Sequence, residues 1–185
     1  PETLFNADYA FHSGISPSWR AHCDALVGLF VRPEHFVLDI GSNDGTLLAA
    51  ARDVGASVLG VDPAASHKNS LCEFWSADLA RSLDRRADII VAQNVLGHVD
   101  DVHDFIEGVR IALRPAGRFV LEVPYLGYLM AHNAFDTVYH EHLSYWSLRA
   151  LQMLLNAHGL RAMRVEWFPA LRGGSVRIVA EHGMG

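Results

Sequence analysis

The fold of this chain is decided by Val37-Leu38-Asp39-Ile40-Gly41-Ser42-Asn43-Asp44-Gly45, an apolar run that ends in an acid and a tight turn. Gly41 and Gly45 can adopt backbone angles that other residues avoid, and they let a ligand approach the main chain closely. The following residues, 46–52, predict a helix that Asn43 or Asp44 could cap. A strand, a glycine turn and a helix in this order indicate the first unit of an α/β sheet.

A second apolar run at residues 58–62 ends in Asp62, at the edge of the sheet where ligands of open α/β folds bind. An acid there suits the two hydroxyls of a ribose. A dinucleotide fingerprint needs three glycines, whereas this turn has one glycine pair and Asp44 would repel a pyrophosphate. A nucleoside with an amino-acid tail fits better, because the helix amino end can bind its carboxylate and acids its ammonium. We therefore predict S-adenosylmethionine, with S-adenosylhomocysteine as product; an ordinary strand-to-helix turn is the plainer alternative.

A third apolar run, at residues 88–94, ends at the same edge of the sheet and adds polar side chains to it. The residues that we expect to bind the cofactor are Asp39, Gly41, Ser42, Asn43, Asp44, Gly45, Asp62, Gln93 and Asn94.

Length and composition restrict the class of protein. The chain has 185 residues, half of them hydrophobic, which predicts one compact domain with a sizeable core. The net charge of −6 argues against a nucleic-acid partner. No apolar run approaches the ~20 residues of a membrane helix, and no signal peptide opens the chain. Cys23 and Cys72 are isolated, which favours a reducing cytoplasm without structural zinc.

The remaining pattern alternates strands and helices. It predicts helices at 18–30, 101–113 and 147–158, a short strand at 72–75, a turn at 114–117, and strands at 118–124, 161–168 and 175–181. The last two strands are too close in sequence for a parallel crossover, so they form an antiparallel hairpin. The fold expected is α/β, the Rossmann-like class I methyltransferase type: a mostly parallel seven-stranded sheet with a terminal antiparallel hairpin. Residues 1–34 would form an aromatic arm and a helix, and residues 35–185 the cofactor-binding domain.

Two groups of titratable residues follow strands at this edge. His98 follows the third apolar run and could act as a general base, although a capping or solvent-facing histidine is the plainer alternative. Residues 135–145 read Phe-Asp-Thr-Val-Tyr-His-Glu-His-Leu-Ser-Tyr, and His140 and His142 could chelate a metal if extended. A base, its orienting carboxylate and a phenol beside a developing enolate explain the cluster better, and we expect no metal.

The motifs at residues 39–45, 94–99 and above all 135–145 resemble those of the nucleotide-sugar C-methyltransferases, which build branched deoxysugars for antibiotics. Residues 11–22 are similar to that family's linker, and residues 172–177 to its glycine-rich segment, with Arg172 where histidine is usual. The resemblance implies the catalytic residues Tyr9, His98, Tyr139, Glu141 and His142, with His142 the favoured base. Family members are considerably longer, with a zinc module before this domain and an α/β domain after it.

We therefore expect a methyltransferase that uses S-adenosylmethionine to methylate a carbon of a nucleotide-linked keto-deoxysugar. Flanking domains or a partner chain are expected to complete the sugar site. Two alternatives stay open: an O-methyltransferase for a small molecule, with His98 as base for a hydroxyl, and a non-catalytic cofactor-binding module or fragment of a larger enzyme.

Overall fold

The computed structural model describes residues 5, 12–65, 67–169 and 173–183. Its strands are β1 (Phe36–Ile40), β2 (Ser57–Val61), β3 (Ser70–Leu71), β4 (Ala87–Gln93), β5 (Leu113–Pro124), β6 (Leu160–Phe168) and β7 (Ser175–His182). Its α-helices are α1 (Pro17–Phe30), α2 (Thr46–Asp53), α3 (Ala77–Ser82), α4 (Val102–Ala112), α5 (Leu126–Ala131) and α6 (Leu148–Ala157). Single 3-10 turns lie at Ser13–Ile15, Leu96–His98 and Phe135–Thr137.

Within the described residues the strands form one seven-stranded sheet in the order β3-β2-β1-β4-β5-β7-β6. The first five strands in that order pair in parallel, and β7 pairs antiparallel with both β5 and β6. The chain order reverses between β1 and β4, so the carboxyl ends of these two strands flank a crevice. The predicted fold class, with its terminal antiparallel hairpin, is confirmed.

Each face of the sheet is covered by helices that bury an apolar stripe. On one face α1 packs against β1, β4 and β5, because Trp19, Cys23, Leu26, Val27 and Phe30 recur at helical spacing and are all buried. The helix begins where the Ser16 hydroxyl accepts the Trp19 amide, with Pro17 in the first turn. The opposite face is covered mainly by α4 and α6. None of the described helices is long and apolar enough to cross a membrane.

Two predicted element boundaries were wrong. The short strand lies at Ser70–Leu71 and not at residues 72–75, because Ser70 and Leu71 are the residues that pair with Gly60 and Val61 of β2. The predicted turn at residues 114–117 belongs to β5, which begins at Leu113 because that residue already pairs with Ala87. An irregularity in the pairing after Ala87 absorbs the extra residues, so a turn composition is compatible with strand here.

Candidate active site at the carboxyl ends of the strands

The glycine turn after β1 requires glycine for a steric reason. Gly41 has φ +76°, and a Cβ atom there would lie 2.2 Å from Cγ2 of Val95. Gly45 has φ +78° and occupies the N-cap position of α2, while the side chain of Asp44, one of the two residues expected to cap this helix, accepts the amide of Thr46. At Gly41 the turn therefore brings main-chain atoms, without a side chain, to the crevice between β1 and β4.

Asp62, at the end of β2, holds this turn in place. Its Oδ2 accepts the main-chain amide of Asn43 at 2.8 Å, and its Oδ1 accepts the amide of Ala64 at 2.7 Å. A carboxylate oxygen can accept more than one hydrogen bond, so Asp62 keeps capacity for hydroxyl groups of a ligand. The residue is buried and lines a cavity beside the turn.

Asp44 binds the protein's own backbone. Its Oδ1 accepts the hydroxyl of Thr46 at 2.7 Å and the Thr46 amide at 3.2 Å, and its Oδ2 accepts the Gly14 amide at 2.7 Å. Burial raises the pKa of Asp44, but these hydrogen bonds outweigh it and hold the pKa below its ordinary value. The Asp44 carboxylate therefore stabilises the first turn of α2.

The 3-10 turn at Ser13–Ile15 packs on the glycine turn. The amide and hydroxyl of Ser13 both donate to Oδ1 of Asn43, at 3.1 and 3.2 Å, beside the bond from Gly14 to Asp44. A Cβ on Gly14 would lie 2.3 Å from the Thr46 hydroxyl, so the two segments fit without spare space. The sequence predicted only that residues 1–34 form an aromatic arm and a helix, and the fold shows that the Ser13–Ile15 part of them packs on the turn.

A cavity of about 380 Å³ opens beside the turn, within the range of small-molecule sites. Seven of the nine residues expected to bind the cofactor line it, namely Asp39, Gly41, Ser42, Asn43, Asp62, Gln93 and Asn94. Asp44 and Gly45 are not among the lining residues. Burial, together with the negative charges of Asp62 and Asp44, raises the pKa of Asp39 well above its ordinary value.

Asn94 shows that the cavity suits a polar ligand. Both polar atoms of its side-chain amide are buried, and neither has a hydrogen-bond partner among the described residues. Its backbone adopts φ +58°, and its own amide N–H donates to the main-chain oxygen of Glu122 at 2.8 Å. A buried amide without partners is costly, so a ligand with both donors and acceptors, such as S-adenosylmethionine, fits here.

His98 lies in the wall of this cavity. Its Nδ1 is 2.7 Å from the main-chain oxygen of Glu141, and because a carbonyl only accepts, Nδ1 carries the hydrogen. A neutral ring then has its lone pair on Nε2, the nitrogen that could take a proton.

His142 lies against His98, with ring centroids 4.9 Å apart. Its Nδ1 donates to the main-chain oxygen of Thr137 at 2.8 Å, so Nε2 holds the lone pair and accepts the Tyr139 hydroxyl at 3.0 Å. The Tyr139 side chain is 44% exposed and therefore accessible from outside. The structure thus joins a phenol and two imidazoles in one contiguous group beside the cavity.

Main-chain hydrogen bonds hold the two histidine segments together. The Gly97 oxygen accepts the amides of Leu143 and Ser144, at 2.8 and 3.2 Å, and the Ser144 hydroxyl donates to the oxygen of Leu96 at 3.3 Å. Glu141 contributes its main-chain oxygen to His98 in this arrangement. These contacts join segments that are more than forty residues apart in sequence, which spacing alone could not indicate.

Some of the expected residues are placed apart from this group or cannot be located. His140 is exposed, and the described residues contain no group of three or more His, Cys, Asp or Glu side chains that could hold a metal ion. Tyr9 and Arg172 lie outside the described residues, and their roles stay predictions.

Sequence reasoning missed a buried polar cluster next to Gln93. Glu122 on β5 is 0% exposed and pairs in register with Arg177 on β7, which is 2% exposed. His22 on α1 completes the cluster through a 2.8 Å hydrogen bond to Glu122. The signal was present in the sequence: a charged residue in the middle of each of two apolar strands indicates a buried ion pair.

Comparison with known proteins identifies the family of the chain. Residues 20–165 match the family described as Methyltransferase domain, so the chain belongs to the methyltransferase family. It is 33% identical over 196 aligned positions to the C-methyltransferase NovU of Streptomyces niveus, covering 97% of this chain and 46% of that protein. It is also 33% identical over 96 positions to the ubiquinone biosynthesis O-methyltransferase of Bradyrhizobium diazoefficiens, covering 46% of this chain and 38% of that protein. The chain thus spans less than half the length of these relatives.

Solved structures agree on the fold. A S-adenosylmethionine-dependent methyltransferase from Archaeoglobus fulgidus superposes with a TM-score of 0.71 at 17% identity, covering 87% of this chain and 93% of that one. The Burkholderia thailandensis 1,6-didemethyltoxoflavin-N1-methyltransferase, solved with S-adenosylhomocysteine, has a TM-score of 0.67 at 18% identity, covering 89% and 78%. The chain is therefore a methyltransferase domain with the fold of enzymes that use S-adenosylmethionine.

Proposed function

We propose that this chain methylates a carbon atom next to the ketone of a nucleotide-linked keto-deoxysugar. The observation that carries the proposal is the group of His98, His142 and Tyr139 beside the cofactor cavity. A carbon acid needs a base for its proton and a donor for the enolate oxygen, and an imidazole and a phenol have these properties. The relative named as a C-methyltransferase supports the same reaction, since its similarity extends over 97% of the chain.

In the proposed mechanism the substrate's 4-keto group acidifies the neighbouring C3–H. Nε2 of His142, the favoured base, removes this proton, and the electron pair of the C–H bond delocalises onto the ketone oxygen. The Tyr139 hydroxyl, which donates to that nitrogen in the absence of substrate, turns to donate to the enolate oxygen. His98 is the second candidate base, and Glu141 orients a histidine or acts as a further acid or base. Bound S-adenosylmethionine would supply the electrophilic methyl group that this carbanion attacks, with S-adenosylhomocysteine as the product.

The cofactor would be held by the residues that line the cavity. Asp62 suits the ribose hydroxyls, and the main-chain amides of the glycine turn and the start of α2 suit the carboxylate. Asp39 suits the ammonium, because it is the carboxylate on the cavity wall whose own charge is disfavoured by burial. These residue roles, and that of Tyr9, are part of the proposal.

The remaining expectations concern the whole protein. We propose that residues 1–34 serve as an arm and helix on the domain formed by residues 35–185. We further propose that flanking domains or a partner chain complete the sugar site, since the relatives are more than twice as long as their matched segments. A cytoplasmic location and a role in antibiotic deoxysugar synthesis stay predictions.

An O-methyltransferase remains the second candidate, because the ubiquinone O-methyltransferases are similar to nearly half of the chain. Proton exchange distinguishes the two reactions. A nucleoside-diphosphate 4-keto-deoxyhexose is incubated in deuterated water with the chain and S-adenosylhomocysteine, so that no methyl can be transferred. Loss of the C3–H signal by NMR supports carbon methylation. No exchange here, together with methylation of a hydroxyl in a parallel incubation with S-adenosylmethionine, supports the alternative. Cofactor binding with neither reaction would indicate a non-catalytic module.

His142→Asn is expected to slow both the exchange and methyl transfer by about 100-fold or more, the usual contribution of a general base. Cofactor affinity should change little. His132→Asn is the matched control, because this exposed ring also bonds a main-chain carbonyl, that of Tyr128 at 3.0 Å. Weakened cofactor binding by His142→Asn would instead make His142 a structural residue.

A further inference from the structure

Glu122, Arg177 and His22 form, together with the cavity residue Gln93, a buried cluster, here called the Glu122 cluster. The mechanism above gives the first three residues no role. The Glu122 carboxylate and the Arg177 side chain are 0% and 2% exposed. A buried ion pair is costly to desolvate and is often no more stabilising than apolar residues of the same size. Stability is therefore a weak explanation for these charges, and their contact with the cofactor cavity suggests another.

The side-chain carboxylate of Glu122 accepts hydrogen bonds from the other three residues of the cluster. Its Oε1 accepts Nε of Arg177, and its Oε2 accepts Nε2 of His22 and Nε2 of Gln93, each at 2.8 Å. Burial raises the pKa of Glu122, but the His22 hydrogen bond and the Arg177 charge outweigh it and hold the pKa below its ordinary value. The carboxylate is therefore ionised at neutral pH and can only accept.

This ionisation fixes the orientation of Gln93, which lines the cofactor cavity. Because the carboxylate accepts only, the amino group of the Gln93 amide must face it, and the amide oxygen must point elsewhere. Among the described residues that oxygen has only the thiol of Cys23 near it, at 4.0 Å, and a thiol is a weak donor. Gln93 thus keeps an acceptor for a ligand.

The backbone of Glu122 also holds the next cavity residue. Its main-chain oxygen accepts the amide of Asn94 at 2.8 Å, and Asn94 is the residue whose buried side-chain amide lacks partners. One residue of β5 therefore positions two consecutive residues of the cavity wall, one through its side chain and the other through its main chain.

We propose that Glu122 is a positioning residue for the cofactor, which acts through Gln93 by holding the amide so that its oxygen is available to donor groups of S-adenosylmethionine. Arg177 and His22 keep Glu122 in place and charged. The proposal rests on the cofactor and not on the identity of the methylated substrate.

The test is a double-mutant cycle on cofactor affinity, measured by titration calorimetry of the 185-residue chain with S-adenosylhomocysteine. Glu122→Gln releases the orientation of Gln93, because an amide at position 122 can donate as well as accept. We expect the dissociation constant to rise about tenfold, the effect of one good hydrogen bond. Gln93→Met, of similar length but without donors or acceptors, should cause the same loss. The two changes together should then weaken binding no more than Gln93→Met alone.

A purely structural role of Glu122 makes a different prediction. The melting temperature should fall in every Glu122→Gln variant, since Arg177 loses one of its charged partners. With a purely structural role, the affinity losses would add in the double variant. Additive losses, or unchanged affinity in Glu122→Gln, would overturn the proposal. If Glu122→Gln does not fold, adding Arg177→Met removes both charges and leaves the cycle measurable.

Glu166→Gln is the matched control. Glu166 accepts a hydrogen bond from Nη1 of Arg177 at 3.2 Å and makes no hydrogen bond to Gln93. Glu166→Gln therefore weakens the charge pairing of Arg177 but leaves Glu122 to orient the Gln93 amide. Its affinity for S-adenosylhomocysteine should equal that of the unmodified chain. A loss as large as that of Glu122→Gln would show that binding responds to the ion pair in general, contrary to the proposal.

Discussion

Asp39 is the carboxylate whose charge the cofactor is expected to change. Its burial and the neighbouring charges of Asp62 and Asp44 raise its pKa well above the ordinary value, so without a ligand Asp39 keeps its proton to a higher pH than an exposed aspartate does. A cationic ammonium beside it stabilises the ionised form and lowers the pKa again. Binding should therefore release protons, and affinity should increase as pH rises through the pKa of the empty protein.

Calorimetry in two buffers of different ionisation enthalpy measures this proton release for S-adenosylhomocysteine. Asp39→Asn has the same shape but no proton to lose, so both the release and the pH dependence should disappear. Proton release that persists in Asp39→Asn would assign the titration to another group.

The positions of His98 and His142 could be predicted from the sequence, but their tautomers and partners could not. Their types and their positions after two strands predicted that they would meet at one edge of the sheet. The tautomers could not be predicted, because main-chain oxygens of Glu141 and Thr137 determine them. Nor could the pairing of Tyr139 with His142, which depends on how the chain turns through residues 137–142.

A glycine is sterically required in the glycine turn but not in helix α1. Gly41→Ala would introduce both a clash with Val95 and a strained left-handed backbone, whereas a Cβ on Gly28 would meet nothing within 4 Å. We expect Gly41→Ala to cost about 1–3 kcal/mol of folding free energy and to weaken cofactor binding strongly. Gly28→Ala, in the last turn of α1, should be neutral or stabilising by up to about 1 kcal/mol.

Urea unfolding and cofactor titration of both variants check this contrast. Normal cofactor affinity in Gly41→Ala would mean that the turn can open to accommodate a side chain. If only Gly41→Ala weakens cofactor binding, then binding depends on the shape of the turn and not on helix α1.

At the level of elements, long apolar runs were predictable and short or irregular elements were not. β4 and α4 were found within one residue of their predicted ends, because continuous or helical-period apolar residues identify buried elements. β3 was misplaced and α5 was not predicted. β3 has two residues, and its position depends on which residues pair with β2 and not on local preference.

At the level of the whole molecule, cofactor binding should stabilise the fold. A ligand at 100 times its dissociation constant adds about 2.7 kcal/mol. For a chain of this size each kcal/mol raises the melting temperature by about 2–4 °C, so S-adenosylhomocysteine should raise it by roughly 5–10 °C. Asp62→Ala should reduce this shift to near zero, because Asp62 holds the turn as well as facing the ribose.

Thermal unfolding with and without S-adenosylhomocysteine gives the shift in melting temperature for each variant. Because each variant is compared with its own ligand-free melting temperature, a lower stability of Asp62→Ala does not affect the comparison. Asp78→Ala serves as control, since Asp78 is almost fully exposed and its carboxylate pairs with Arg81 on its own helix. A full shift in Asp62→Ala would remove Asp62 from the cofactor site.

The sequence by itself determined the class of fold, the glycine turn after β1 and the edge of the sheet at which the cavity opens. These properties follow from local physics: apolar periodicity specifies buried elements, and parallel strands place their carboxyl ends together. Only the tertiary structure decided that the Ser13–Ile15 turn packs on Asn43 and Asp44, and that Glu122 orients Gln93. Those contacts join residues 29 or more apart in sequence, and hydrogen bonds between distant segments form only once packing has brought the segments together.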